Sequence, residues 1–68
     1  MVKELTIEVD SKTDVELCVL LNLATNEVSY VVYDPNDCDI LTGRNFKEEF
    51  GTYAEASDVY KEHIKQAV

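Results

Sequence analysis

The 68-residue sequence has no tryptophan, one proline, two glycines and two cysteines. Two cysteines are too few for the disulfide framework of many small secreted domains, so we expect reduced thiols. With Gly43 and Gly51 as the only glycines, the chain lacks a glycine-rich phosphate-binding loop. No apolar run approaches the ~20 residues of a transmembrane helix. The acidic N-terminal segment does not resemble a signal peptide, and we expect a soluble, cytoplasmic protein.

Basic residues are also scarce, since six Lys and Arg stand against 14 Asp and Glu, for a net charge of −8. Nucleic acids and anionic membranes are polyanions and repel such a protein, so we expect it to bind neither directly. The charge suits solubility, a basic protein partner or mimicry of nucleic acid. At this length we expect a single domain spanning residues 1–68, and a hydrophobic content of 46% argues against disorder.

The stretch 15–34 predicts a β-hairpin. Apolar residues alternate along both arms with period two, which is typical of strands. They are Val15, Leu17, Val19, Leu21 and Leu23, then Val28, Tyr30 and Val32. Thr25-Asn26 is the expected turn centre, because Asn tolerates a left-handed backbone.

This turn predicts the pairing of the two arms. On one face we expect the pairs Leu23–Val28, Leu21–Tyr30 and Val19–Val32. On the other face we expect Cys18 opposite Tyr33 and Leu20 opposite Val31. A one-residue slip would mix the two faces, which a half-buried sheet does not tolerate.

Two further strands are expected to complete the sheet. Lys3 to Val9 alternates, and a loop at 10–14 would pair Val9 with Val15, Ile7 with Leu17 and Leu5 with Val19. Phe46 to Phe50 suits a helical turn or an edge strand, and we favour the strand because Gly51-Thr52 breaks the chain after it.

The segment from Thr52 to Ala67 predicts a helix. Thr52 and Glu55 form a capping box at its start. One apolar stripe follows helical spacing, and it consists of Tyr53, Ala56, Val59, Tyr60, His63, Ile64 and Ala67. We therefore predict an α+β fold, with an antiparallel meander sheet of three to four strands and one C-terminal helix packed on one face.

One helix covers one side of such a sheet, so the apolar residues of the other side need an explanation. If the helix lies over Leu17 and Val32, an apolar patch remains outside, and exposed apolar patches commonly mark interaction surfaces. The alternative is that Ile40-Leu41 and the acidic loop before it fold back over this patch. The predicted partner-binding residues are Cys18, Leu20, Val31 and Tyr33.

Candidate chemical sites are weak. The Asp34–Asp39 loop has three carboxylates and an Asn, but it does not match an EF-hand, so we interpret it as a solvated turn and leave a weak cation site open. His63 is the only histidine, and no metal-ligand spacing involves it or the cysteines, so we expect it to line the edge of the helix stripe. We predict no catalytic residue, cofactor or metal.

These observations favour a non-catalytic interaction module. We expect it to bind a protein partner, or to form a homodimer, through the outer face of the sheet. The alternative is an acidic inhibitor that mimics nucleic acid and blocks a DNA- or RNA-binding protein, which would need carboxylates aligned at roughly phosphate spacing.

Overall fold

The computed structural model describes residues 1–66, which form four strands and one helix. These are β1 (Val2–Val9), β2 (Glu16–Asn22), β3 (Glu27–Cys38), β4 (Asn45–Phe50) and α1 (Tyr53–Gln66). The strands lie in the order β1-β2-β3-β4, and neighbours are antiparallel. The predicted α+β meander is confirmed, as is the strand at Phe46–Phe50. The predicted last residue of the helix, Ala67, lies outside the described residues.

The helix begins at the predicted capping box. Thr52 Oγ1 accepts the backbone N–H of Glu55 at 3.3 Å, and the Thr52 hydroxyl donates to Glu55 Oε1 at 3.2 Å. The Thr52 side chain thus satisfies one of the N–H groups that have no partner within the first turn.

The core lies between α1 and one side of the sheet. Leu17 and Val32 face each other across β2 and β3, and both are fully buried. The helix adds Ala56 and Tyr60 from its apolar stripe, so the strand period and the helix period meet in one cluster. Partly buried residues pack around it, namely Tyr30, Phe46, Phe50, Val59 and Ile64.

The pairing of β2 with β3 differs from the prediction by two residues. Val32 faces Leu17, and Val28 faces Leu21. The cause is a four-residue turn in place of the predicted two-residue turn. Asn22 Oδ1 accepts the N–H groups of Ala24 and Thr25, and Asn26, at a φ of 61°, donates its N–H to the Asn22 carbonyl. A slip of two residues keeps every side chain on its predicted face.

The β1–β2 pairing contains an irregularity between Thr6 and Glu8. Leu5 faces Val19 as predicted, but Glu8 faces Leu17, so the predicted Ile7–Leu17 and Val9–Val15 pairs are wrong. An extra residue in one strand reverses the alternation beyond it. Glu8 therefore lies on the helix side of the sheet.

The position of Glu8 on the helix side affects the pKa of Tyr60, the tyrosine that α1 contributes to the core. Burial raises the pKa of the Tyr60 phenol, and the Glu8 and Asp10 carboxylates raise it further.

The segment after Tyr33 also departs from expectation. The predicted turn at Asp34–Asp39 is largely strand, because β3 continues to Cys38. Its register breaks there, since Asp34 pairs with Phe46 whereas Cys38 pairs with Asn45. Three residues of β3, numbers 35–37, consequently have no partner on β4.

The tip between β3 and β4 projects away from the sheet. Asp39 and Arg44 close it, because the Asp39 N–H donates to the Arg44 carbonyl at 2.8 Å. Ile40 and Leu41 are 96% and 94% exposed, so the predicted packing of this pair onto the sheet is wrong.

We expect Leu17→Ala to lower the free energy of unfolding by about 2–5 kcal/mol, since it removes buried methyl groups and leaves a cavity. The matched change Leu41→Ala, at an exposed position, should stay within about 0.5 kcal/mol of the wild type. Urea unfolding followed by circular dichroism measures both. Equal effects of the two substitutions would contradict the assigned core.

Candidate functional site

The predicted partner-binding residues lie on the side of the sheet away from α1, but they are not an exposed patch. Cys18 and Val31 face each other at the centre of this outer side and are 3% exposed each. Leu20 and Tyr33 are half-buried. Neither sequence-based account of this side holds, because the patch is largely buried and Ile40-Leu41 does not cover it.

The sheet itself covers these residues by coiling. Glu4 and Lys47 belong to the two edge strands, which in a flat sheet would be about 14 Å apart. Their side chains nevertheless meet on the outer side, with Nζ and Oε2 3.9 Å apart. Across the sheet, Glu4 is aligned with Ser29 of β3, whereas Lys47 is paired with Tyr33, four residues further along β3. The contact therefore joins diagonally opposite corners of the sheet. The outer side is therefore concave.

Exposed apolar side chains also lie on the helix side, beyond the area that α1 covers. Leu5, Leu23 and Val28 are 45%, 55% and 47% exposed. The half-buried Val19 and Leu21 connect them, since Val19 is the partner of Leu5 and Leu21 the partner of Val28. We call these five residues the open corner.

The position of the helix explains the open corner. A helix is about 10 Å across and adjacent strands lie about 4.8 Å apart, so one helix covers two to three strands. In the described chain, α1 approaches β3 most extensively, then β2 and β4, and has no close backbone approach to β1. Every residue of β1 is consequently exposed.

The free edge of β1 adjoins the open corner. One edge of this strand pairs with β2, and no strand within residues 1–66 pairs with the other. Such edges pair readily with another chain, and charged residues restrict that pairing. Lys3, Glu4 and Glu8 supply charges along β1.

A second cluster lies at the opposite end of the helix. Asp34 continues the helix-side row of Tyr30 and Val32 on β3, and His63 belongs to the last turns of α1. His63 Nδ1 lies 2.7 Å from Asp34 Oδ2, and the two side chains are 12% and 6% exposed. Because an ionised carboxylate only accepts, the imidazole N–H donates.

Neighbouring residues hold this pair in place. The Phe46 ring stacks on the His63 ring with centroids 4.3 Å apart. Asp34 Oδ1 accepts the Asn36 N–H at 2.9 Å, and the Asn36 amide donates to the Thr13 carbonyl.

The irregular part of β3 turns a second carboxylate towards the pair. Asp34, Asp37 and His63 each offer a ligand atom, and these three atoms lie within 4.8 Å of one another. Asp37 is exposed, whereas Asp34 is buried. No metal-ligand spacing is visible in the sequence here, because Asp34 and His63 are 29 positions apart. The available signal was the alternation Tyr30, Val32, Asp34, which places this aspartate on the helix side.

Comparison with known proteins provides no relative. No protein-family model matches the chain, and no curated protein and no solved structure matches it significantly. A functional proposal must therefore rest on its own residues. Among the residues described, α1 is too short and too polar to cross a membrane.

The buried outer side makes a prediction about the two free cysteines. Burial raises the pKa of the Cys18 thiol, and the Glu4 and Glu16 carboxylates also raise it. Since the thiolate is the reactive form, Cys18 should react slowly, whereas the exposed Cys38 is accessible. We expect a disulfide reagent to modify one thiol per native chain rapidly, and the second only after unfolding.

Cys38→Ser is the control for this measurement. It should remove the rapid phase and leave the slow one. Two equally rapid thiols in the native wild type would contradict the burial of Cys18.

Proposed function

We propose that the protein is a non-catalytic interaction module that binds a second copy of itself through β1 and the open corner. The supporting observation is that α1 leaves β1 uncovered, with Leu5 and Ile7 each about half exposed beside an edge that no strand of the described residues pairs with. Contiguous apolar surface on a small domain commonly serves association. This proposal replaces the outer-face binding site predicted from the sequence, because Cys18 and Val31 of that site are buried.

A twofold axis perpendicular to the sheet would join the two β1 edges antiparallel. Both open corners then lie on the same side of a continuous sheet. Centring the axis at Leu5 sets the two Leu5 side chains against each other and Glu4 opposite Thr6. Centring it at Glu4 sets two glutamates opposite each other, which is unfavourable. Charge thus disfavours that register, whereas the register centred at Leu5 buries an apolar pair.

The cellular setting is part of the proposal. Free Cys18 and Cys38 fit a reducing compartment, and we place the protein in the cytoplasm.

The second function suggested by the sequence was a nucleic-acid mimic. The acidic residues of this protein occur on all four strands and on α1, on both sides of the sheet. No feature of the described residues favours a single phosphate-like row, so we place the interaction module first.

Leu5→Asp should convert the dimer to a monomer, since it would bury two facing carboxylates at the proposed twofold axis. Sedimentation velocity over a concentration series measures the change. Leu5 is about half exposed in the single chain, so the variant should keep the wild-type circular dichroism spectrum. Ile40→Asp is the matched control, because it makes the same kind of change at a 96% exposed position outside the sheet.

The dimer should persist in Ile40→Asp. A wild-type chain that sediments as a monomer at millimolar concentration would overturn the self-association proposed here. Equal dissociation by both variants would show that added charge, and not the β1 surface, controls association.

A further inference from the structure

The geometry points to a binding site for a divalent transition-metal ion formed by Asp34, Asp37 and His63. The bound ion would join the C-terminal end of α1 to β3. This inference is independent of the proposed self-association, which concerns the other end of the helix.

The ligand atoms are close to the spacing that such an ion needs. Zn²⁺ binds nitrogen and carboxylate oxygen at about 2.0–2.2 Å, so tetrahedral ligands are about 3.3 Å from one another. The three candidate atoms already lie within 4.8 Å of one another. His63 Nδ1 and Asp34 Oδ2, at 2.7 Å, must separate slightly as the ion replaces their shared proton. Asp37 must move inwards, which its exposed position permits.

The charge of the cluster also favours a cation. Asp34 is 4% exposed, and burying a carboxylate without a positive partner is costly. In the part of the chain that the structure describes, neither Asp34 nor Asp37 forms an ion pair with a lysine or arginine, and the partner of Asp34 is His63. Asp34 and Asp37 together bring two carboxylates to one imidazole, so the cluster can offer a divalent ion two acidic ligands.

The ligand types select the class of metal. Imidazole together with carboxylate suits zinc and its neighbours in the first transition row, whereas calcium and magnesium prefer all-oxygen sets. Phe46 fixes the ring plane of His63 by stacking. Asp37 and Phe46 also line a surface depression with Asp39 and Arg44, which gives an ion access from solvent. Three protein ligands leave a fourth position for water.

Zinc chloride is the probe, added to the purified full chain after treatment with a chelator. Calorimetric titration should show one Zn²⁺ per chain. The melting temperature should rise by on the order of 10 °C when free zinc exceeds the Kd about 100-fold, because the ion binds the folded state. Asp37→Asn should weaken binding by at least tenfold while it leaves the metal-free melting temperature unchanged, since Asp37 is exposed.

Two control variants separate this site from others. Asp58→Asn removes an equal charge at an exposed helix position and should bind zinc like the wild type. Cys38→Ser removes the exposed thiol next to Asp37 and should also bind normally. The inference is overturned if the wild type takes up no zinc at millimolar concentration. It is also overturned if Asp37→Asn binds as the wild type does, or if Cys38→Ser abolishes binding.

Discussion

The structure depends on the packing of one helix against a sheet too wide for it. Val15, Leu17 and Val32 meet Ala56 and Tyr60 beneath α1, and this cluster is the buried core. Because a helix about 10 Å across shields only two to three strands, the position of α1 above β3 determines which strand is left uncovered. That strand is β1, which lies two positions from β3 in the sheet. The open corner therefore follows from the core.

The outer side of the sheet is covered in a different way from the helix side. No helix lies there in the described chain, yet Cys18 and Val31 are almost fully buried. Coiling of the sheet brings Glu4 and Lys47 together from opposite edges. Both side chains of this pair are about half exposed, and exposed ion pairs contribute little stability. The contact is therefore a consequence of the coiling of the sheet and not its cause. The twist that all sheets share is the physical source of this cover.

The sequence predicted the side of the sheet on which a residue lies more reliably than the residue it pairs with on the next strand. Alternation fixes the face of each side chain, so Leu17 and Val32 were assigned to the correct side even though their strands pair two residues away from the expected register. The turn at Asn22–Asn26 decides that register through hydrogen bonds that composition does not reveal. The irregularity at Thr6–Glu8 and the coil were equally hidden, because both are properties of paired strands. The Asp34–His63 contact could not be predicted before the position of the helix on the sheet was known.

The two proposed sites lie at opposite ends of α1. Tyr53, at the first turn, packs edge-on against Tyr30, whereas His63 meets Asp34. The ten steps from Tyr53 to His63 span about 15 Å of helix, so an ion at one end does not touch the surface at the other. Coupling between them would have to pass through the packing of α1 on β3. A domain this small has a thin margin of stability, and an ion that fixes the last turns of its single described helix would act on the whole fold. Zinc should therefore strengthen a dimer only to the extent that it stabilises the folded chain, with no change in the register of β1.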